Sequence, residues 1–254
     1  MSEPKIGRVL PSSLHQAITE LMPQRIEFYE SWLTPLRIRQ GELGRARMTA
    51  VLSFLRQEGA NYDAVVRRAG CYTADWTVDT LGPVERSMIR RLPRALRIRA
   101  VLRAAGRLVC QLHAESQFDS VVRRGTAVVE IEGSLFCDVR EQAPAPLCGF
   151  YAALLERYFE FFDLPCAAAI SRCCAAGDAS CELILDTVSS SGPSDSDQPA
   201  DGRSRRRALP DDWDAASLGG LAFLRAPRYG GSHQLRCCVV GNRRSAVARP
   251  GTSP

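Results

Sequence analysis

The spacing of apolar residues in this chain changes once, near residue 115, and that change limits the folds open to it. Upstream, apolar residues recur at three- and four-residue steps, the period of an amphipathic helix. Ser13-Leu14-His15-Gln16 fits a capping box, with Ser13 as N-cap and Gln16 three residues on, and Leu14, Ile18 and Leu21 continue the helical face until Pro23. Ile26, Phe28, Tyr29 and Trp32 predict a short aromatic helix that stops before Pro35. Met48, Val51, Leu52 and Leu55 form a stripe closed by Gly59, and Tyr62–Leu81 carries Val65, Val66, Ala69, Tyr72 and Trp76 with Gly70 weakening its middle. Pro93 separates a short helix at 84–92 from a longer one at 94–114, where Leu96, Ala100, Leu102 and Leu108 are apolar.

Downstream the period shortens to two. Phe118–Val122, Thr126–Glu132 and Ser134–Arg140 are rich in β-branched and aromatic residues and are punctuated by Gly125 and Gly133. Val129 and Ile131 alternate with Glu130 and Glu132, as in a strand with one covered face. A strong helix follows at 147–163, with Tyr151, Leu154, Leu155, Tyr158 and Phe162 on one face, and then two short strands near 166–172 and 180–187. Helices first, then strand–strand–helix–strand–strand, predict an α+β fold: N-terminal helices packed with a C-terminal antiparallel sheet.

One domain is therefore expected over 1–188. From Val188 on, SSSGPSDSDQPADGRSRRR begins a Ser/Pro/Asp/Arg-rich stretch that predicts disorder, or a segment of non-native origin such as a shifted reading frame, over 189–254. The formal net charge of +5 resides mostly there, where ten arginines oppose six aspartates; the first 188 residues keep +1. A nearly neutral domain argues against nucleic acid as a partner. No apolar run is long enough for a membrane span, and the polar N-terminus lacks a signal-peptide pattern, so a cytoplasmic location is expected.

Ten cysteines in such a setting point to metal or to burial rather than to disulfides. The densest group is Cys148 at the start of the 147–163 helix, then Cys173, Cys174 and Cys181 around Gly177-Asp178. Thiolates suit zinc or another soft ion. The Gly-Asp pair supplies a turn that folds Cys181 back toward Cys173 or Cys174. A helix N-terminus lowers the pKa of a thiol, which favours the thiolate form of Cys148. Cysteine is also a common core residue, and the spacing alone leaves both readings open.

The stretch from Thr126 to Leu185 resembles the 4-vinyl reductase domain family. The resemblance rests on Glu130-Ile131-Glu132-Gly133-Ser134, on a helix opened by Cys148, and on Cys173-x-x-x-Gly177-Asp178-x-x-Cys181. MSEPKIGRVLPSSLHQAITELMPQRIEFYESWL, RAGCYTADWTVDTL and VVEIEGSLFCDVRE extend the likeness, to the bacteriochlorophyll 4-vinyl reductases, over about 1–188. The resemblance implies the fold shared with haem-nitric-oxide-binding domains and a homodimer. It further implies a role in bacteriochlorophyll synthesis, binding a vinyl-bearing chlorophyllide precursor as its reductase or as its carrier, peripheral to photosynthetic membranes and in contact with other enzymes of that synthesis. Phenol-sensing relatives bind zinc through three cysteines and a glutamate. That pattern carries over to Cys148, Cys173 and Cys181, while the acid position falls on Ile170, leaving Cys174 or a water as the fourth ligand. The alternative is a zinc-containing small-molecule sensing module; a protein-interaction subunit without a ligand is a third.

Other candidates are weaker. His15 and His113, in predicted helices, could in principle ligate haem, but surface or capping roles are the simpler reading; His233 falls in the tail. Asp75, Asp79 and Glu85 read as solvated helix positions. No G-x-G-x-x-G, P-loop, G-x-S-x-G or H-E-x-x-H is present, so no nucleotide cofactor is implied and the catalytic residues are unassigned. Phe28, Trp32, Trp76, Phe150, Tyr158 and Phe159 are the candidates for lining a pocket that takes a flat apolar ligand; with Tyr29 they are otherwise core.

Overall fold

The computed structural model describes residues 6–41, 43–123 and 125–187. The expected disorder of 189–254, and His233 within it, lie outside the described residues. Helix α1 (Val9–Leu21) starts before the predicted cap. Pro11 falls in its first turn, where a missing N–H breaks no helical hydrogen bond, so the helix runs through it. Ser13 is not the N-cap. It is buried inside the helix, donating from Oγ to the Leu10 carbonyl at 2.9 Å and accepting from Thr73 Oγ1 at 2.9 Å.

Short helices α2 (Ile26–Glu30) and α3 (Pro35–Gln40) follow; Pro35 opens a helix as well as ending the approach to it, since proline suits the first helical position. Then come α4 (Arg45–Gln57), α5 (Ala60–Val78), α6 (Pro83–Arg91) and α7 (Arg94–Leu112), close to the spans that the apolar spacing predicts. The rest is β1 (Gln117–Arg123), β2 (Thr126–Glu132), α8 (Gly149–Glu160), β3 (Ala167–Arg172) and β4 (Cys181–Asp186). All four strands pair antiparallel in the order β1-β2-β4-β3, which is the α+β fold expected.

Ser134–Arg140 is not a strand. Leu135–Cys137 form a single 3-10 turn in which all three residues are buried. A strand with one covered face would turn every second side chain outward. Burying Phe136 and Cys137 together requires the chain to coil instead.

Helix α5 lies at the centre, packed against α1 on one side and α8 on the other. Leu14, Ile18, Val65, Val66, Ala69, Leu154 and Leu155 fill that layer. Ala127, Val129 and Ile131 of β2 and Leu183 and Leu185 of β4 are buried on the covered face of the sheet, where α7 meets β1 and α8 meets β3. Burying side chains of this size contributes about 1.5–3 kcal/mol each. No helix among the described residues is long and apolar enough to cross a membrane.

Candidate metal centre

Four segments converge behind the sheet. The 3-10 turn after β2 brings Cys137, the N-cap of α8 brings Cys148, the end of β3 brings Cys173, and the start of β4 brings Cys181. Pairing of Ile131 with Cys181 sets β4 so that its first residue lies beside the end of β2, where the Cys137 turn begins. Gly177, at φ +103°, reverses the chain between Cys173 and Cys181 in a conformation that side chains other than glycine rarely adopt. Asp178 closes that turn: its carboxylate accepts from the Cys173 backbone N–H at 2.8 Å.

All four sulfurs lie within 4.8 Å of one another. Cys137 and Cys173 are 3.5 Å apart, Cys148 and Cys173 3.5 Å, and Cys181 and Cys137 3.4 Å. None is in a disulfide. Four sulfurs at about 2.3 Å from a tetrahedral zinc ion are separated by about 3.8 Å. The observed contacts approach that edge length, and a disulfide at about 2.05 Å is far shorter. The donor set therefore fits a closed, four-thiolate zinc site.

The sulfurs are buried, with Cys148 and Cys181 fully so. Phe136 stacks on Phe150 with centroids 4.5 Å apart and meets Tyr151 edge-on at 5.5 Å, joining the Cys137 turn to α8 and excluding water. Polar contacts fix the loops that carry the thiols. Arg56 of α4 donates to the carbonyls of Phe136 (3.0 Å) and Asp138 (3.3 Å), on either side of Cys137. Arg45 holds the Asp138 carboxylate at 3.0 Å. Tyr62 Oη donates to the Leu147 carbonyl at 3.0 Å, just before Cys148, and the Leu147 N–H points at the Cys173 sulfur at 3.4 Å. Such outer contacts orient ligands and tune what they bind.

The thiols share protons unequally. Hydrogen bonds from Cys137, Cys148 and Cys181 lower the Cys173 thiol, and Cys137 is lowered too, first through its hydrogen bond with Cys148. Cys148 and Cys181 are pushed up, in each case first through Cys137. Cys148 is thus raised, where its place at a helix N-terminus predicts lowering. Burial raises the thiols of Cys71, Cys174 and Cys166, the last to about 12.

The structure brings together the predicted Cys148, Cys173 and Cys181. Half-buried Cys174 is outside the group of four, and the fourth place belongs to Cys137. Cys137 stands in the same VVEIEGSLFCDVRE stretch that carries the family resemblance, but apart from the other cysteines in sequence, so spacing did not mark it. The antiparallel return of β4 onto β2 was the available signal. Ile170, at the position of the expected acid, is a β3 residue paired with Leu183.

The pocket candidates fall into three groups. Phe150, Tyr158 and Phe159 are buried on α8. Phe28 and Trp32 flank Phe54 near the surface, at centroid distances of 5.2 and 5.4 Å. Trp76 stacks on Tyr72 at 5.4 Å, and Arg68 lies over the Tyr72 ring at 4.7 Å. An open groove between α1, α5 and α8 is lined by Leu21, Ala64, Cys71 and Ala153 and by two ion pairs, Arg67–Glu156 at 3.0 Å and Arg68–Glu20 at 2.9 Å. His113 is buried, with Nδ1 3.0 Å from Ser116 Oγ, and burial lowers its pKa; His15 Nε2 lies 3.5 Å from Glu30.

No model of a known protein family matches this chain, and no curated protein does. Among solved structures, the chain is similar to the phenol-responsive sensory domain of the transcription activator PoxR, crystallised with phenol. That likeness has 14% identity and a TM-score of 0.42, and covers 57% of this chain and 75% of the other. It is also similar to an H-NOX protein from S. oneidensis in the Fe(II)NO ligation state, at 12% identity and a TM-score of 0.40, covering 71% and 98%.

Proposed function

We propose that residues 1–188 form a zinc-stapled domain of the 4-vinyl reductase kind, which holds a vinyl-bearing chlorophyllide precursor during bacteriochlorophyll synthesis and presents it to a reductase. The observation that carries the metal half of this reading is the closure of the thiol site. Cys137, Cys148, Cys173 and Cys181 supply four buried sulfurs, as many donors as a tetrahedral ion takes. Zinc held this way would lock the 3-10 turn, α8 and the β3–β4 turn together, and it leaves no coordination position for a substrate.

Zinc has no redox chemistry, and adding two electrons to a vinyl group needs a hydride or electron source. A carrier that delivers pigment to a separate reductase suits both facts. The tetrapyrrole half rests on the sequence resemblance and on the groove between α1, α5 and α8. Leu21, Ala64 and Ala153, with the Tyr72–Trp76 stack nearby, offer an apolar surface; Arg67 and Arg68 are paired with Glu156 (3.0 Å) and Glu20 (2.9 Å), so a propionate would take the place of one of those carboxylates.

The ligand set is open to direct test. Cys137→Ser is expected to reduce bound zinc at least tenfold, whereas Cys174→Ser leaves it unchanged, both read by metal analysis of the purified proteins. Zinc retained by Cys137→Ser and lost by Cys174→Ser would move the fourth donor to Cys174.

The pigment reading is tested by mixing the full-length protein with a divinyl chlorophyllide precursor, with and without NADPH. The expected result is co-elution of unchanged pigment in both cases. Conversion with NADPH alone would make the domain the reductase itself. Lack of any binding would remove the tetrapyrrole and leave the zinc-containing sensing module.

A further inference from the structure

The charge of the folded part is unevenly spread. From Arg86 to Leu112 there are eight arginines and no acidic residue, although the first 188 residues together carry only +1. This stretch is most of α6 and all of α7. Two of its arginines are neutralised from outside it: Arg86 pairs with Asp79 at 2.5 Å and Arg107 with Glu85 at 2.6 Å. Arg90 and Arg97 turn their guanidiniums to the carbonyls of Phe161 and Phe162, and Arg94 to that of Thr187, contacts with neutral acceptors. Arg91, Arg99 and Arg103 are exposed and make no hydrogen bond or ion pair to other described residues.

Large apolar side chains stand among these cations. Val84 is 71% exposed, Met88 64% and Leu96 49%. On α6, Val84, Met88 and Arg91 lie away from the buried Ile89. On α7, Leu96, Arg99 and Arg103 lie away from the buried Ile98, Val101, Leu102 and Ala105. A solvated charged face alone has no use for such side chains, and a phosphate-binding face has none either. An interfacial helix surface combines the two: cations at the headgroups and aliphatic side chains at the acyl boundary.

We propose that the outer faces of α6 and α7 form a docking surface for an anionic lipid bilayer, with Arg91, Arg99 and Arg103 at the headgroups and Val84, Met88 and Leu96 inserted beneath them. This surface does not depend on the thiol site or on a pigment, so its fate is separable from the function proposed above.

The test is flotation of the full-length protein with vesicles of phosphatidylcholine alone and of phosphatidylcholine doped with phosphatidylglycerol. Binding is expected only to the anionic vesicles and is expected to fall with added salt. Replacing all three arginines (Arg91→Gln, Arg99→Gln, Arg103→Gln) should weaken partitioning about 100-fold, from the known contribution of each cation near an anionic surface. Val84→Ser, Met88→Ser and Leu96→Ser together should weaken it about tenfold or more at constant charge. All six positions are exposed, so circular dichroism and the melting temperature should match the parent. Equal binding to both vesicle types, or a triple-glutamine variant that floats like the parent, would overturn the proposal; the second result would place binding on other cations, such as the arginines of 189–254. Retention on duplex DNA that the serine variants leave untouched, without flotation, would replace the bilayer by nucleic acid.

Discussion

Cys173→Ser is expected to strip the protein of zinc and to lower its melting temperature by about 10 °C or more in scanning calorimetry. Cys173 lies 3.5 Å from both Cys137 and Cys148, so its loss opens the closed set of four donors. Structural zinc contributes about 10–16 kcal/mol to the folding of small zinc-finger peptides. This fold has a core of its own, so a smaller share, about 4 kcal/mol or more, is at stake, and each kcal/mol moves the midpoint of a domain this size by about 2–4 °C. A chelator separates this from ordinary core damage. It should lower the melting temperature of the parent to that of the variant and leave the variant unaffected. If the parent melts at the same temperature with and without chelator, the thiols are packing residues only.

Gly70→Ala is expected to destabilise the protein by about 2–4 kcal/mol, as overpacking at a rigid contact does, and to lower its melting temperature by roughly 5–10 °C. In an unconstrained helix the same change would stabilise by up to about 1 kcal/mol, because alanine is the better helix former. The two expectations differ in sign. A β-carbon at Gly70 would stand 2.3 Å from the Phe150 carbonyl oxygen and 3.0 Å from the Leu154 nitrogen, both backbone atoms of α8 that cannot swing away. Helix α8 would have to shift, taking Cys148 with it, so zinc affinity should fall alongside stability. A melting temperature that rises would show that α5 and α8 stand further apart than this contact requires.

Gly70 also shows where the sequence was legible and where it was not. Read along the chain it is a weak point in a helix; its reason lies on α8, far away in sequence. Helix and strand placement followed from local periodicity, so α4–α8 and the four strands fall close to where apolar spacing puts them. Errors arose where burial, not period, shaped the chain. Ser13 looked like a cap because its hydroxyl fits one, but its partner is Thr73 on α5. Phe136 and Cys137 looked like strand residues because they are apolar, but both are drawn inward by the aromatic stack and the thiols. Three of the four clustered cysteines were visible around a helix start and a Gly-Asp turn. Cys137 joins them only through strand pairing that no local pattern records. The arginines of α6 and α7 were hidden by averaging, since a sum of charge over 1–188 cancels the acid-free stretch 86–112 against acidic segments elsewhere.

Metal analysis combined with X-ray absorption at the zinc edge, on protein purified without chelator, is the most direct check on the four-thiol site. The expected result is about one zinc per chain with four sulfur neighbours near 2.3 Å. Less than about a tenth of an equivalent per chain after zinc loading, or a shell containing nitrogen or oxygen, would contradict it.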